Sequence, residues 1–142
     1  MEYTCTVDRM PRLESLPEAY GIVHYPKRPW TTNAGHRMHH MERAALTREW
    51  REAFGWLARK EHLAPVSQAI IVVQPHLRFK RSMDCDACMP AAKAAIDGLI
   101  DAGVLIDDKP PNIVEIRYSA PILDSEDGLT LLIYNRLAGG VA

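Results

Sequence analysis

Two stretches set the architecture: SQAIIVVQ (Ser67–Gln74) and, beyond a basic segment, PAAKAAIDGLIDA (Pro90–Ala102). The first is too short and too β-branched for a helix and reads as a buried central strand. The second opens with a proline suited to a first helical turn, and Gly103 stops it. On that helix Ala92, Ile96, Leu99 and Ile100 form the buried stripe. Lys93, Asp97 and Asp101 follow one another at four-residue steps along an adjacent stripe. A buried strand feeding a short apolar helix predicts a sheet with a helix packed on it.

Working outward, Tyr20–Tyr25 (YGIVHY) has the β-branched and aromatic content of a strand. Two prolines keep Pro26–Asn33 extended or turning. From Met38 to His62 the period becomes helical, with Met41, Ala44, Ala45, Trp50, Phe54 and Leu57 as its apolar positions and Pro65 beyond its end. Downstream, Val104–Ile106 runs outward to Asp107 and Asp108, and Pro110-Pro111 forces an irregular stretch. Ile113–Ser119 and Gly128–Asn135 alternate as strands, and the acidic turn Asp124–Asp127 between them predicts a hairpin. Near the start, residues 2–8 (EYTCTVD) also alternate, and Arg9–Pro17 reads as irregular. The expected order is β-β-α-β-α-β-β, a single α+β domain with one mixed sheet and helices packed against it. Residues 20–136 form that domain, with 1–19 as an extension packed on it and 137–142 as a frayed tail.

Composition fits this reading. With 142 residues, 47% hydrophobic and 25% charged, the chain has enough apolar content for one core and too little length for two comfortable ones. The longest aliphatic run, Ala69–Val73, falls far short of the roughly 20 residues a membrane-crossing helix needs. No apolar block follows a basic start, so a secretory signal is not expected. Cys5, Cys85 and Cys88 cannot all pair and are too few for a disulfide scaffold, which suits an intracellular protein with free thiols. The net charge of −1 conceals a gradient. Arg78, Lys80 and Arg81 stand in a segment without acids, whereas residues 84–142 hold 10 acidic against 4 basic side chains. Bases that hold phosphates beside acids that hold cations suit a metal-dependent enzyme acting on a polyanion.

The carboxylates carry the chemistry. Asp84 and Asp86 lie between the buried strand and the helix, and in extended backbone residues two apart face the same way. The helix is about 18 Å long, so the segment after it can bring Asp107 and Asp108 part of the way back. Clustered carboxylates repel unless a cation joins them, and Mg²⁺, with Mn²⁺ as substitute, matches their hard oxygens. Such an ion beside Lys93 and a basic approach surface can hydrolyse a phosphodiester. The plainer reading is that these Asp-x-Asp and Asp-Asp pairs are loop and cap residues.

From Asp84 to Asp108 the sequence resembles the RusA family of Holliday junction resolvases. The resemblance lies in DCDACMPAAK (Asp84–Lys93) and in KAAIDGLIDAGVLIDD (Lys93–Asp108), which keeps the family's spacing without a gap. Pro29-Trp30-Thr31-Thr32-Asn33 is similar to the family's proline-rich turn with asparagine, so the likeness spans roughly Tyr20 to Asn135. It implies a homodimeric, Mg²⁺-dependent endonuclease that nicks two strands of a four-way DNA junction in recombination and repair. Asp84, Asp86 and Asp108 would be the metal-binding acids, Lys93 the catalytic lysine and Asp107 a neighbour. Asn33, Arg37, Arg78, Lys80 and Arg81 are the candidate DNA contacts. The setting implied is the cytoplasm of a prokaryotic or phage-infected cell. Two departures stand out: Ala87 replaces the family's asparagine, and three extra residues separate Asp86 from Lys93.

Other residues admit competing readings. Cys85 and Cys88 form a C-x-x-C that could stabilise a zinc-bound, non-catalytic nucleic-acid-binding module, with His76 and Cys5, His39 or His40 as further ligands. No second paired motif at finger-like spacing accompanies them. His36, His39 and His40 read as phosphate contacts or as merely exposed side chains. Trp30 could stack on bases, while Trp50 and Trp56 read as core or dimer contacts. Phosphate-binding glycine loops and a nucleophile elbow are absent from the sequence.

Overall fold

A computed structural model of the protein describes residues 19–79 and 83–136. The expectations for the extension up to residue 18, for Lys80 and Arg81, and for the tail from 137 lie outside the described residues. The described chain is an α+β domain with a mixed five-stranded sheet and three helices. The elements run β1 (Gly21–Tyr25), α1 (Thr32–Arg37), α2 (His40–Lys60), β2 (Ala69–Leu77), α3 (Met89–Asp101), β3 (Ile113–Tyr118), β4 (Ile122–Leu123) and β5 (Gly128–Asn135). No helix among them is long and apolar enough to cross a membrane.

β2 is the centre of the sheet, as its unbroken apolar run requires. Its odd-numbered residues Ala69, Ile71 and Val73 join the main core with Trp50, Phe54, Ile96 and Leu99 from the helices. Its even-numbered Ile70 and Val72 pack with Tyr134 on the opposite face. β3 and then β4 lie parallel to β2 along one edge, and β5 runs antiparallel along the other, with β1 outside it. Gln74 holds the break between β3 and β4, donating from Nε2 to the Ala120 carbonyl at 2.9 Å.

The predicted hairpin does not form. β2 lies between the two strands, and the acidic turn carries the chain across its end instead. Both edges of β2 were open, so the crossover through α3 brings β3 to one, and β5 fills the other from Ala69↔Asn135 to His76↔Gly128.

The helical segment from Met38 also differs from expectation. A separate short helix precedes it, started by Thr31 Oγ1, which accepts from the Ala34 amide at 3.1 Å. Met38 breaks the helix in extended conformation, and His39 Nδ1 then caps α2 by accepting from the Met41 amide at 3.2 Å. Trp50 and Phe54 are buried as expected, but Met41, Ala44 and Ala45 face solvent. Trp56 is exposed too, with the Lys60 ammonium 5.3 Å from its ring centre.

Where α2 crosses α3 the backbones nearly touch. A Cβ on Gly98 would lie 2.8 Å from the Gly55 amide nitrogen, so glycine is required there. Arg51 Nε donates to Asp101 Oδ2 at 2.6 Å beside the crossing.

Candidate functional site

Strand β2 ends near a loop that turns into α3. The Asp84 carbonyl accepts from the Ala87 amide at 3.0 Å, and the Asp86 carbonyl from the Met89 amide at 3.1 Å. These successive turns, rather than an extended backbone, present Asp84 and Asp86 to the same place. Both line a cleft of about 230 Å³ whose other wall is Thr31, Thr32 and Asn33. The Thr32 amide donates to the Ala87 carbonyl at 2.9 Å and ties that wall to the loop. Ala87 thus contributes its backbone carbonyl, and Asn33 also lines the cleft.

Lys93 follows Met89 by one turn of α3. Its ammonium donates to Asp97 Oδ1 at 3.3 Å and to Asp108 Oδ2. Asp108 itself is positioned by its amide, which donates to Asp107 Oδ1 at 2.7 Å. The loop after α3 therefore does fold back along the helix. The Lys93 bond holds the Asp108 carboxyl below its ordinary 3.8, with Asp107 adding to the effect. The Lys93 ammonium is raised, chiefly by the same bond.

Tyr118, which sequence reasoning missed, is half-buried and feels the charges of both Asp86 and Lys93. Burial raises its hydroxyl above the ordinary 10.0; Cys88 and Asp86 raise it further, and Lys93 opposes them. It sits at the end of β3 opposite Val73, and only the parallel β2–β3 register reveals it.

The oxygens of these acids suit a hard cation. Among the described residues, however, no three His, Cys, Asp or Glu side chains are gathered closely enough to hold one. Asp84 and Asp86 open onto the cleft, whereas Asp108 is engaged by Lys93. The four aspartates are therefore not assembled around a single ion in this arrangement.

The chain matches no family model and no curated protein.

Of the candidate DNA contacts, Asn33 is in the cleft and Arg37 is exposed at the end of α1. Arg78 is exposed, with its guanidinium 5.3 Å from the Phe79 ring centre and its amide donating to Asp127 Oδ1 at 2.8 Å. Cys85 is exposed and Cys88 is buried, both as free thiols. Burial pushes the Cys88 thiol up to about 11, which disfavours the thiolate that binds zinc.

Proposed function

We propose that the protein is a RusA-like, Mg²⁺-dependent endodeoxyribonuclease that acts as a homodimer on four-way DNA junctions by paired symmetric nicks. The proposal includes a cytoplasmic setting in a prokaryotic or phage-infected cell. One observation carries it. The segments behind the resemblance make two pairings beside α3: the Thr31–Asn33 turn against Asp84–Ala87, and Lys93 against Asp108.

The extra residues before Lys93 are absorbed by the turns at 85–88, so the lysine still meets Asp108. A phosphodiester is an anion of the kind that would compete with Asp108 for the Lys93 ammonium, and Lys93 would supply positive charge at the phosphate. Asn33 and the threonine wall offer neutral hydrogen-bonding groups where a polyanion must approach two carboxylates. Two identical sites in a symmetric dimer suit paired cuts.

The test is nicking of a synthetic four-way junction with added Mg²⁺ or Mn²⁺, comparing the protein with Asp86→Asn. Loss of nicking with junction binding retained supports the proposal; equal nicking removes the acids from the site. Binding without nicking by the unsubstituted protein favours a junction-binding role without catalysis. The zinc-module reading has less support because Cys88 is a buried thiol. Stoichiometric zinc in protein purified without added metal, lost on Cys88→Ser, would restore it.

A further inference from the structure

On the side of the sheet where β1, β5 and β2 run together, side chains from four distant positions are hydrogen-bonded in series. His24 Nδ1 lies 2.8 Å from Thr130 Oγ1, and His76 Nε2 lies 2.7 Å from the same oxygen. His76 Nδ1 lies 3.0 Å from Asp124 Oδ2. The rings meet edge to face, 5.3 Å between centroids. The register places them: His24 is opposite Thr130, and His76 is opposite Gly128, two residues along β5. Gly128 makes room for the His24 ring, since a Cβ there would come within 3.0 Å of His24 Nε2.

The order of donors follows from Asp124. An ionised carboxylate only accepts, so His76 Nδ1 carries the hydrogen. On a neutral ring His76 Nε2 must then accept, and the Thr130 hydroxyl donates to it. Thr130 has a single proton, so its oxygen accepts from His24 Nδ1–H. This leaves His24 Nε2 with a lone pair at the open end.

We propose that His24, Thr130, His76 and Asp124 form a one-proton relay between His24 Nε2 and the His76–Asp124 pair. A solvent proton forms an N–H bond at His24 Nε2. The His24 Nδ1–H bond breaks as its proton passes to Thr130 Oγ1, and the Thr130 O–H bond breaks as its proton passes to His76 Nε2. One proton has been taken up, the hydroxyl is regenerated with reversed polarity, and the charge resides on His76 against Asp124. His24 is neutral again as its other tautomer. Each hydrogen bond is satisfied in both states, so the sheet need not move.

A second proton would set two cationic rings around one hydroxyl. Burial is the largest influence on His24 and His76 the next; both hold it below its ordinary 6.5, against the pull of Glu126 and Asp124. His24 is exposed, and it is His76 that Asp124 holds at 3.0 Å, so His24 is the entry point and His76 the resting place.

The experiment is a ¹⁵N NMR pH titration of the imidazoles in the full histidine-labelled chain. At the alkaline end both rings should be Nδ1–H tautomers. On uptake of the first proton by the network, His24 should reverse to Nε2–H and the charge should appear on the other ring. Thr130→Ser should keep the reversal and Thr130→Val should abolish it. A wild-type His24 already Nε2–H at the alkaline end, or a reversal that survives Thr130→Val, overturns the relay. If Thr130→Val does not fold, absence of the reversal in the wild type and in Thr130→Ser overturns it equally.

Discussion

Lys93 on α3 and Asp108 in the loop beyond that helix are ion-paired, and Asp97 flanks the same ammonium one turn along. The pair closes the loop onto the helix. Lys93→Met should return the Asp108 carboxyl towards its ordinary 3.8, read by ¹³C NMR titration. Because more than half of the Lys93 side chain is exposed, the melting temperature should change little. Junction nicking should be lost. A large fall in melting temperature would make Lys93 a structural residue.

Gly98→Ala should destabilise the fold. The added methyl must push apart two helix backbones rather than a flexible side chain, which costs about 1–3 kcal/mol in a packed core. Denaturant unfolding measures this, and an unchanged midpoint would mean that the helices cross less closely than described.

Glu49 is hydrogen-bonded by Lys27 Nζ at 2.7 Å and by the Tyr25 hydroxyl at 2.8 Å. The Lys27 bond is the main cause that holds its carboxyl below the ordinary 4.5. A depressed carboxyl stabilises the folded state fully above its unfolded value, and that contribution is lost as pH falls through the folded value. Glu49→Gln should therefore lower the melting temperature near neutrality and lose that difference in acid. A deficit that persists unchanged in acid would separate the effect from ionisation.

Cys88 and Cys85 should differ sharply towards alkylating reagents. The exposed Cys85 should react near neutrality, whereas Cys88, buried and raised to about 11, should react only on unfolding. Peptide mapping after alkylation gives the ratio, and equal labelling would contradict the burial of Cys88.

The elements most legible in the sequence were those whose signal is local. β2 announced itself by an apolar run that is buried on both faces, and α3 by Pro90, its alanine-rich stripe and Gly103. The pairing of β3 and β5 was not legible, because alternation marks a strand without saying which neighbour it takes. The first turns of α2 carried apolar residues at helical spacing, yet spacing does not reveal which turns the core covers. At the candidate site, the partial return of Asp107 and Asp108 followed from helix length and short connection, whereas the capture of Asp108 by Lys93, in place of a meeting of the two acidic pairs, did not. Tyr118 and the His24–Thr130–His76 contacts depend on strand register and had no sequence signal.

The strand order also constrains biosynthesis. β1 takes its hydrogen-bonded neighbour from β5, the last strand among the described residues, which also covers one edge of β2. A nascent chain leaving the ribosome therefore holds two sticky borders apart until Gly128–Asn135 has emerged, and only then can the interior slot be filled. Non-local pairing of this kind slows folding and leaves unfinished chains prone to aggregate. Polypeptides terminated before Gly128 should accumulate as insoluble material, whatever the fate of their helices.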